Sequence, residues 1–310
     1  MELRDLEYFL ACVDQGSVTA AAHRTHAAQP TVSHALARLE REVGQSLIER
    51  RPRSALKLTA AGELLAARAR LALGALRAFE FDLAALRGRI HGPLRIASIQ
   101  SLNATLLPDV LVQFLQKYPE VQIAARTYPG EDIARRIAGG LEDVGIIAGP
   151  VASRRVPVTA GLSEQLLYCE RFAAVVPLGH PLARSKSVAL SRLAGERLVL
   201  VPESSLTGTA ISDAFERANV VPNIVMTIAS TEALCEAVKR GVGITLLPRS
   251  YQVRASYRLK SVPLRDSALT REVKLLMLGD EFTSPAARAF RSLLVDVTRT
   301  ARDGGAVRGP

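Results

Sequence analysis

The chain has 310 residues, enough for two or three domains with apolar cores, and a formal net charge of +10, which suits a polyanionic partner. The positive excess is not concentrated at the N-terminus, because residues 1–58 hold eight Lys or Arg and seven Asp or Glu. No run approaches 18 apolar residues, which excludes a membrane-spanning helix, and acidic residues interrupt the first apolar segment, which excludes a signal peptide. We therefore expect a cytoplasmic protein.

The first 26 residues predict two short helices. Gly16 would end the first helix. Ser17 would cap the second, which is predicted to run to about His26. The apolar residues of the first helix recur at helical spacing: Leu3, Leu6, Phe9, Leu10 and Val13.

A third helix is predicted from Gln29-Pro30 to Gly44. A proline in the first turn removes no N–H group that the helix needs. The apolar face consists of Val32, Leu36, Leu39 and Val43. The opposite, polar face consists of Thr31, Ser33, His34 and Arg38.

The segment LIERRPRSALKL predicts two short strands joined by a basic turn. After it, Thr59 would cap a long helix that ends near Arg87. Its apolar stripe needs a cover that a small N-terminal domain does not supply, so a second copy of the helix is the expected partner. The stripe consists of Leu64, Leu71, Ala75, Phe79, Leu83 and Leu86.

The chain changes character after a linker at His91-Gly92-Pro93. The order strand, polar loop, helix, strand occurs twice, first in LRIASI, QSLNAT, LLPDVLVQFLQKY and VQIAAR, then in ERLVLV, PESSLTG, TAISDAFERA and NIVMTIA. Further strands are predicted near 145–149, 166–177, 243–247 and 273–279. The predicted domains are 1–58, a linker and dimerisation helix with its hinge at 59–91, and a two-lobed α/β domain at 92–310. The lobes would comprise about 92–162 plus 267–300, and 163–266, followed by a C-terminal tail.

The tightly joined helices and the basic hairpin describe a winged helix-turn-helix. The major groove of B-DNA accepts one α-helix, whose N-terminal residues reach the base edges. Gln29 could bond adenine through two hydrogen bonds, and the start of the helix favours phosphate oxygens. The candidate DNA-binding residues are Gln29, Pro30, Thr31, Ser33, His34 and Arg38 on the helix, and Arg50, Arg51 and Arg53 on the wing.

The chain resembles the LysR-type transcriptional regulators over almost its whole length. The resemblance begins at MELRDLEYFL and continues through the helix-turn-helix to LKLTAAGELL. GPLRIA, LEDVGI and AVKRGVGITLLP also fit the family further along the chain. The motif residues are Ala21-Ala22, Gln29-Pro30, Ser33, Leu39-Glu40 and Leu58-Thr59-Ala60-Ala61-Gly62.

The resemblance implies an α/β protein with an N-terminal winged helix-turn-helix, a long linker helix and a periplasmic-binding-protein-like effector domain of type II. It also implies promoter DNA as a partner, a small-molecule effector, homodimers that pair into homotetramers, and contact with RNA polymerase. No cofactor, metal or membrane partner is expected.

Three residues depart from the family pattern. Thr25 stands where a core Leu is usual, so its hydroxyl needs a partner or the second helix is loosened. Ala28 replaces a common capping Ser, a loss of about 1 kcal/mol. Ala20 replaces a frequent Arg, which removes one phosphate contact.

The two polar loops predict the effector site. In a two-lobed α/β protein, ligands bind beyond the carboxyl ends of the strands, where helix N-termini favour a carboxylate or another small anion. In the resembling family, hydroxyl residues at the start of the first sensor helix contact effectors, and Ser101 matches best. Glu203 would repel an anion, which leaves a neutral or cationic effector open. The candidate effector residues are Ser98, Gln100, Ser101, Asn103, Gly130, Ser204, Ser205, Thr207, Ser230 and Thr231.

Other classes of protein have less support in the sequence. The sequence contains no GxSxG, P-loop, HExxH, CxxC or GxGxxG motif. Cys12, Cys169 and Cys235 are far apart and are expected to be core thiols, although one branch of the resembling family senses peroxide through a cysteine pair. The alternative interpretation is an enzyme or small-molecule binding protein with a helical dimerisation module at its N-terminus.

Overall fold

The fold is described from a computed structural model, which covers residues 1–49, 56–150, 161–251, 253, 255–265 and 269–303, with side chains to Thr300. In that part of the chain, no helix is both long enough and apolar enough to cross a membrane.

The N-terminal domain contains the predicted three helices. Gly16 and Gly44 adopt left-handed φ values of 65° and 73° and end the first and third helices, as predicted. Thr25 ends the second helix, one residue before His26, which has a φ of 51°. The elements are α1 (Leu3–Gln15), α2 (Val18–Arg24), α3 (Gln29–Val43) and an antiparallel pair, β1 (Ile48–Glu49) and β2 (Lys57–Leu58).

The two departures at Thr25 and Ala28 have different outcomes. The Thr25 hydroxyl donates a hydrogen bond to the backbone oxygen of Ala21 at 2.8 Å, so this polar group finds a partner within its own helix. Ala28 is the N-cap of α3 and provides no side-chain hydrogen bond, so α3 starts without a capping side chain, as predicted.

The long helix, α4 (Ala60–Ala85), contacts both the N-terminal domain and the C-terminal helix. Thr59 caps it by accepting a hydrogen bond from the Gly62 N–H at 3.1 Å. Ala66, Ala69 and Leu73 belong to the core of the N-terminal domain. Nearer its end, the carboxylate of Asp82 accepts a hydrogen bond from Arg288 in the C-terminal helix.

Much of the predicted apolar stripe of α4 is exposed. Leu64, Phe79, Leu83 and Leu86 have exposed fractions of 61%, 60%, 47% and 84%. Leu71 is half-buried near Gly140.

A seven-stranded sheet connects the two lobes of the remaining chain, in the order β10-β6-β11-β5-β3-β4 with β9 also paired to β6. The parallel strands are central to the first lobe, and helices cover both faces. The first lobe contains β3 (Gly92–Ser98), α5 (Gln100–Thr105), α6 (Leu107–Lys117), β4 (Val121–Thr127), α7 (Gly130–Ala138), β5 (Val144–Pro150), β11 (Thr270–Leu278) and α10 (Pro285–Asp303). The segment QSLNAT, predicted as a polar loop, instead forms the short helix α5.

The second lobe contains β6 (Leu162–Pro177), β7 (Arg197–Leu200), α8 (Leu206–Arg217), β8 (Asn223–Thr227), α9 (Thr231–Lys239), β9 (Thr245–Pro248) and β10 (Leu259–Pro263). Short 3₁₀ turns lie at Pro181–Arg184, Leu190–Leu193, Ala255–Tyr257 and Asp280–Phe282. The four further strands predicted by sequence are present as β5, β6, β9 and β11.

Strand β6 belongs to both lobes. Up to Arg171 it pairs with β11, and from Phe172 it pairs with β9 and β10. A single long strand therefore continues through the lobe boundary predicted at residue 162, and its partner strand changes between Arg171 and Phe172.

Candidate DNA-binding surface and effector cleft

The N-terminal half of α3 presents a polar surface on a rigid support. Val32, Ala35 and Leu39 are fully buried and fix the helix against α1 and α2. The predicted DNA-contacting residues on the other face are all exposed: Gln29, Pro30, Thr31, Ser33 and His34. Ala28 offers no side-chain cap, Pro30 has no N–H and the Thr31 N–H donates to the Ala28 backbone oxygen at 3.0 Å, so the Gln29 N–H is the group of the first turn left to donate to a ligand.

Arg38 has a different environment from the other predicted DNA-binding residues. Its Nε and Nη2 donate hydrogen bonds to the Asp5 carboxylate at 2.7 and 2.5 Å. Its guanidinium thus joins α3 to α1, a role that the sequence pattern did not reveal. The predicted wing residues Arg50, Arg51 and Arg53 lie outside the described residues, between β1 and β2.

A buried arginine, which sequence analysis missed, occupies the junction of the two lobes. Arg271 on β11 is 1% exposed and pairs in register with Glu170 on β6, which is 4% exposed. The Arg271 Nε donates to Glu170 Oε2 at 2.7 Å. The other carboxylate oxygen of Glu170 accepts a hydrogen bond from Ser250.

The Nη1 edge of the Arg271 guanidinium contacts one residue from each of the two predicted effector loops. Its Nη1 donates to the Ser101 hydroxyl at 3.2 Å and to the Thr207 hydroxyl at 3.0 Å. Ser101 lies on α5 in the first lobe, and Thr207 lies on α8 in the second. Two residues predicted from separate loops therefore meet at one cation.

A second polar contact crosses the cleft nearby. The Gln100 amide Nε2 donates to Glu232 Oε2 on α9 at 3.0 Å, and the Ser230 hydroxyl donates to the same oxygen at 3.0 Å. Glu232 was not among the sequence candidates, and only the position of Ser230 and Thr231 at the start of α9 indicated this wall.

The side chain of Leu206 fills the apolar part of the cleft. A Cβ on Gly130 would lie 2.5 Å from its Cδ1, and a Cβ on Gly149 would lie 3.4 Å from its Cβ. Leu206 is buried with Ala97, Ile133 and Ile147 of the first lobe. The N-terminus of α8 is thus inserted into the opposite lobe, and the two glycines leave the room for it.

The remaining candidates have structural partners. Ser205 and Ser230 cap α8 and α9 by accepting hydrogen bonds from Gly208 and Ala233 N–H groups at 3.0 and 3.3 Å. Ser98 is fully buried and donates to the Asn103 side chain at 2.5 Å, while the Asn103 amide donates to Thr127. Ser204 is exposed and Thr231 is buried. Ser101, Thr207, Gln100 and Ser230 are thus the candidates that contact charged groups of the cleft.

Glu203, whose charge would repel an anionic effector, accepts hydrogen bonds from residues of α8. Its Oε1 accepts a hydrogen bond from the Ser212 hydroxyl at 3.0 Å, and its backbone oxygen accepts one from Thr209 at 3.0 Å. The acidic group that contacts Gln100 is instead Glu232.

Two of the three cysteines, Cys12 and Cys235, have the environment of core thiols as predicted, whereas Cys169 on β6 is only half-buried. Cys12 and Cys235 are fully buried, and burial raises the pKa of each thiol to about 11. A hydrogen bond with Tyr251 opposes this effect on the pKa of Cys235 but does not outweigh it. Within the described residues, no group of three or more His, Cys, Asp or Glu side chains is arranged to hold a metal ion.

Comparisons with known proteins indicate the same family for both parts of the chain. Residues 3–63 match the bacterial regulatory helix-turn-helix proteins of the lysR family, and residues 87–299 match the LysR substrate binding domain. An uncharacterized HTH-type transcriptional regulator of Escherichia coli, YnfL, is 31% identical over 307 residues, which covers 96% of this chain and 99% of YnfL.

Solved structures show the same architecture. A variant of full-length OxyR from Pseudomonas aeruginosa superimposes with a TM-score of 0.78 at 25% identity, covering 96% of this chain and 95% of that one. Full-length CbnR complexed with its target DNA has a TM-score of 0.65 at 22% identity and covers 96% and 100% of the two chains. At that identity, the likeness to CbnR concerns the fold alone.

Proposed function

The chain belongs to the LysR family of bacterial transcriptional regulators, and we propose that it reads promoter DNA through the start of α3 and responds to a small molecule bound between its two lobes. The observation that carries this proposal is the meeting of Ser101 and Thr207, one from each lobe, at the guanidinium of Arg271. A ligand at this point would contact both lobes and would change how they close.

The exposed N-terminal half of α3 suits the major groove. Gln29 offers an amide that can bond an adenine edge through two hydrogen bonds, and Thr31 and Ser33 offer hydroxyls for bases or phosphates. The Gln29 N–H and the positive end of the helix dipole favour a phosphate oxygen. Arg50, Arg51 and Arg53 would contact the flanking DNA backbone, where charge matters more than base sequence.

The exposed side of α4 suits a second copy of the chain. Phe79, Leu83 and Leu86 are large apolar side chains that water contacts in the single chain, and a facing α4 would bury them. Two paired chains would present two copies of α3 to two half-sites. Pairs of dimers, contact with RNA polymerase and a cytoplasmic location complete the proposal, which assigns no enzymatic reaction to the chain.

Control by an effector requires two states with different affinities for it. Leu206 packed on Gly130 supports one such state, in which the lobes are closed on a protein side chain. An effector that contacts Arg271, Ser101 and Thr207 would favour another lobe arrangement and alter the spacing of the paired DNA-binding domains.

The proposal is tested by footprinting the purified protein on the DNA upstream of its own gene, at two salt concentrations and with random DNA as competitor. We expect a protected stretch of several helical turns that survives the competitor. Protection that vanishes everywhere with salt would mean that only the net charge binds DNA, and would contradict the proposal.

A pair of variants sharpens the test. Gln29→Ala should lower discrimination between operator and random DNA by about tenfold, the effect of one lost base contact. Gln45→Ala makes the same exchange at an exposed position beyond the other end of α3 and should leave discrimination unchanged. Equal effects of both variants would exclude base reading by Gln29.

A further inference from the structure

The buried cation of the cleft has an unmet requirement for an acceptor. Nη2 of Arg271 lies 2.7 Å from Glu170 Oε2, at ion-pair distance but outside hydrogen-bond geometry, whereas Nε donates to the same oxygen at 2.7 Å. The other oxygen of Glu170 accepts a hydrogen bond from Ser250. Nη1 donates to the hydroxyls of Ser101 and of Thr207 in the first turn of α8.

These surroundings favour an added anion. The start of a helix carries partial positive charge, so a guanidinium at the first turn of α8 is electrostatically unfavourable on its own. A carboxylate there would accept from Arg271, from both hydroxyls and from the N–H groups of Leu206 and Thr207, since the Gly208 N–H already donates to Ser205.

The turn of α5 that contains Ser101 also contacts a negatively charged side chain. Gln100, the neighbour of Ser101, donates to Glu232, so this carboxylate faces the cleft. No salt bridge among the described residues includes Glu232. An acidic residue in the first turn of α9 stabilises its own helix, but that role does not require a contact with the opposite lobe.

We propose that the effector is a zwitterion, a molecule with a carboxylate and a protonated amine on the same or neighbouring carbon, such as an α-amino acid. The inference rests on the proposed effector cleft and specifies its ligand. The carboxylate binds Arg271, Ser101 and Thr207, and the ammonium binds Glu232. A dicarboxylate would place one charge against Glu232, and a simple amine would be repelled by Arg271.

The test measures ligand binding to the full-length protein by thermal shift and calorimetry. Each of the twenty standard amino acids is screened, and the best is compared with its des-amino carboxylic acid and its decarboxylated amine. We expect the amino acid to bind at least about tenfold more tightly than either analogue, because each analogue leaves one cleft charge without a partner.

Two variants on α9 identify the ammonium site. Glu232→Gln should remove most of the advantage of the amino acid over its des-amino analogue. Glu236→Gln, which lies one turn further along and faces Arg240, should retain that advantage. The proposal is wrong if no amino acid binds, if the carboxylic acid binds as well as the amino acid, or if Glu232→Gln keeps the full advantage.

The footprint without effector separates this inference from the proposed function. A protein that protects its operator specifically and ignores amino acids would overturn the zwitterion alone. A protein that protects no operator would overturn the regulator itself. A circular dichroism spectrum and a cooperative melting transition like those of the wild type would show that Glu232→Gln is folded.

Discussion

Arg38 on the recognition helix α3 donates two hydrogen bonds to Asp5 on α1, from Nε at 2.7 Å and from Nη2 at 2.5 Å. The Asp5 carboxylate is 1% exposed, so the pair forms at the edge of the core. The hydrogen bond from Arg38 holds the pKa of Asp5 below its ordinary value against the opposing effect of burial. The orientation of α3 on the domain therefore depends on a buried charge on α1.

Asp5→Asn should lower both the melting temperature and operator affinity, because it preserves the volume of the side chain and removes its charge. Glu7→Gln, an exposed change on the same helix, should affect neither. Since the pKa of Asp5 is lowered on folding, its contribution to stability is present above the unfolded value of about 3.9 and is lost as pH falls through the lower folded value. Thermal unfolding at a series of pH values should show a constant deficit above pH ~4 that shrinks below it.

The contact of Leu206 with Gly130 predicts the effect of adding a methyl group at Gly130. A Cβ on Gly130 would lie 2.5 Å from Leu206 Cδ1, so Gly130→Ala should push α8 away from the first lobe. A Cβ on Gly149 would meet Leu206 at 3.4 Å, an ordinary contact, which makes Gly149→Ala the matched control. Hydrogen exchange of the α8 amides in the full-length protein should accelerate severalfold in the first variant alone. Equal exchange in both would mean that Leu206 does not hold the lobes together.

The N-terminal domain could be predicted almost completely from the sequence. Its helices are local structures, with apolar residues at helical spacing and glycines at Gly16 and Gly44 that adopt the left-handed conformation. The cap at Thr59 and the exposed stripe of α4 have the same local origin. Arg38 could not be assigned from its position on the polar face, because its partner Asp5 lies on another helix.

The effector cleft could be predicted only in outline. Polar loops after β3 and β7 indicated Ser101 and Thr207, since ligands bind beyond the ends of parallel strands. Arg271 precedes an apolar strand and looks like a surface residue in the sequence. Its burial follows from the register of β11 with β6, a pairing between residues about a hundred positions apart that no local pattern specifies.

The buried thiols should react slowly in the native protein. With a pKa of about 11, Cys12 and Cys235 are thiolates to about one part in a thousand at pH 8, and the thiolate is the reactive form. Mass spectrometry after brief iodoacetamide treatment should therefore find both unmodified in the folded protein and fully alkylated after unfolding. Hydrogen peroxide should leave the footprint unchanged. Rapid native alkylation of Cys235 would instead favour a redox role.

The exposed stripe of α4 predicts how the chain associates. Leu83→Glu places a charge within the proposed helix–helix contact and should convert dimers to monomers and abolish the extended footprint. Leu178→Glu introduces the same charge at a side chain of similar exposure, 54% against 47%, in the second lobe. Light scattering coupled to size exclusion would give the mass of each. An unchanged mass for Leu83→Glu would assign the stripe to another partner.

The ion pair of Asp82 with Arg288 predicts how firmly the linker helix is fixed to the effector domain. Both side chains are partly exposed, at 42% and 31%, so their contribution to stability should be below about 1 kcal/mol. Its structural effect is larger, because Arg288 is also held by the backbone oxygen of Thr283 and so fixes the end of α4 to a defined point on α10.

Asp82→Asn should therefore leave the melting temperature nearly unchanged but free the end of α4. The exposed residues Arg87 and Arg89 follow this end and provide sites for trypsin. Limited proteolysis of the native protein should cut there several times faster in Asp82→Asn than in the wild type, while Glu80→Gln, an exposed change two residues earlier, should behave as the wild type. If the two variants are cut at the same rate, the link to Arg288 does not restrain the helix, and the contacts of α4 with the N-terminal core determine its position.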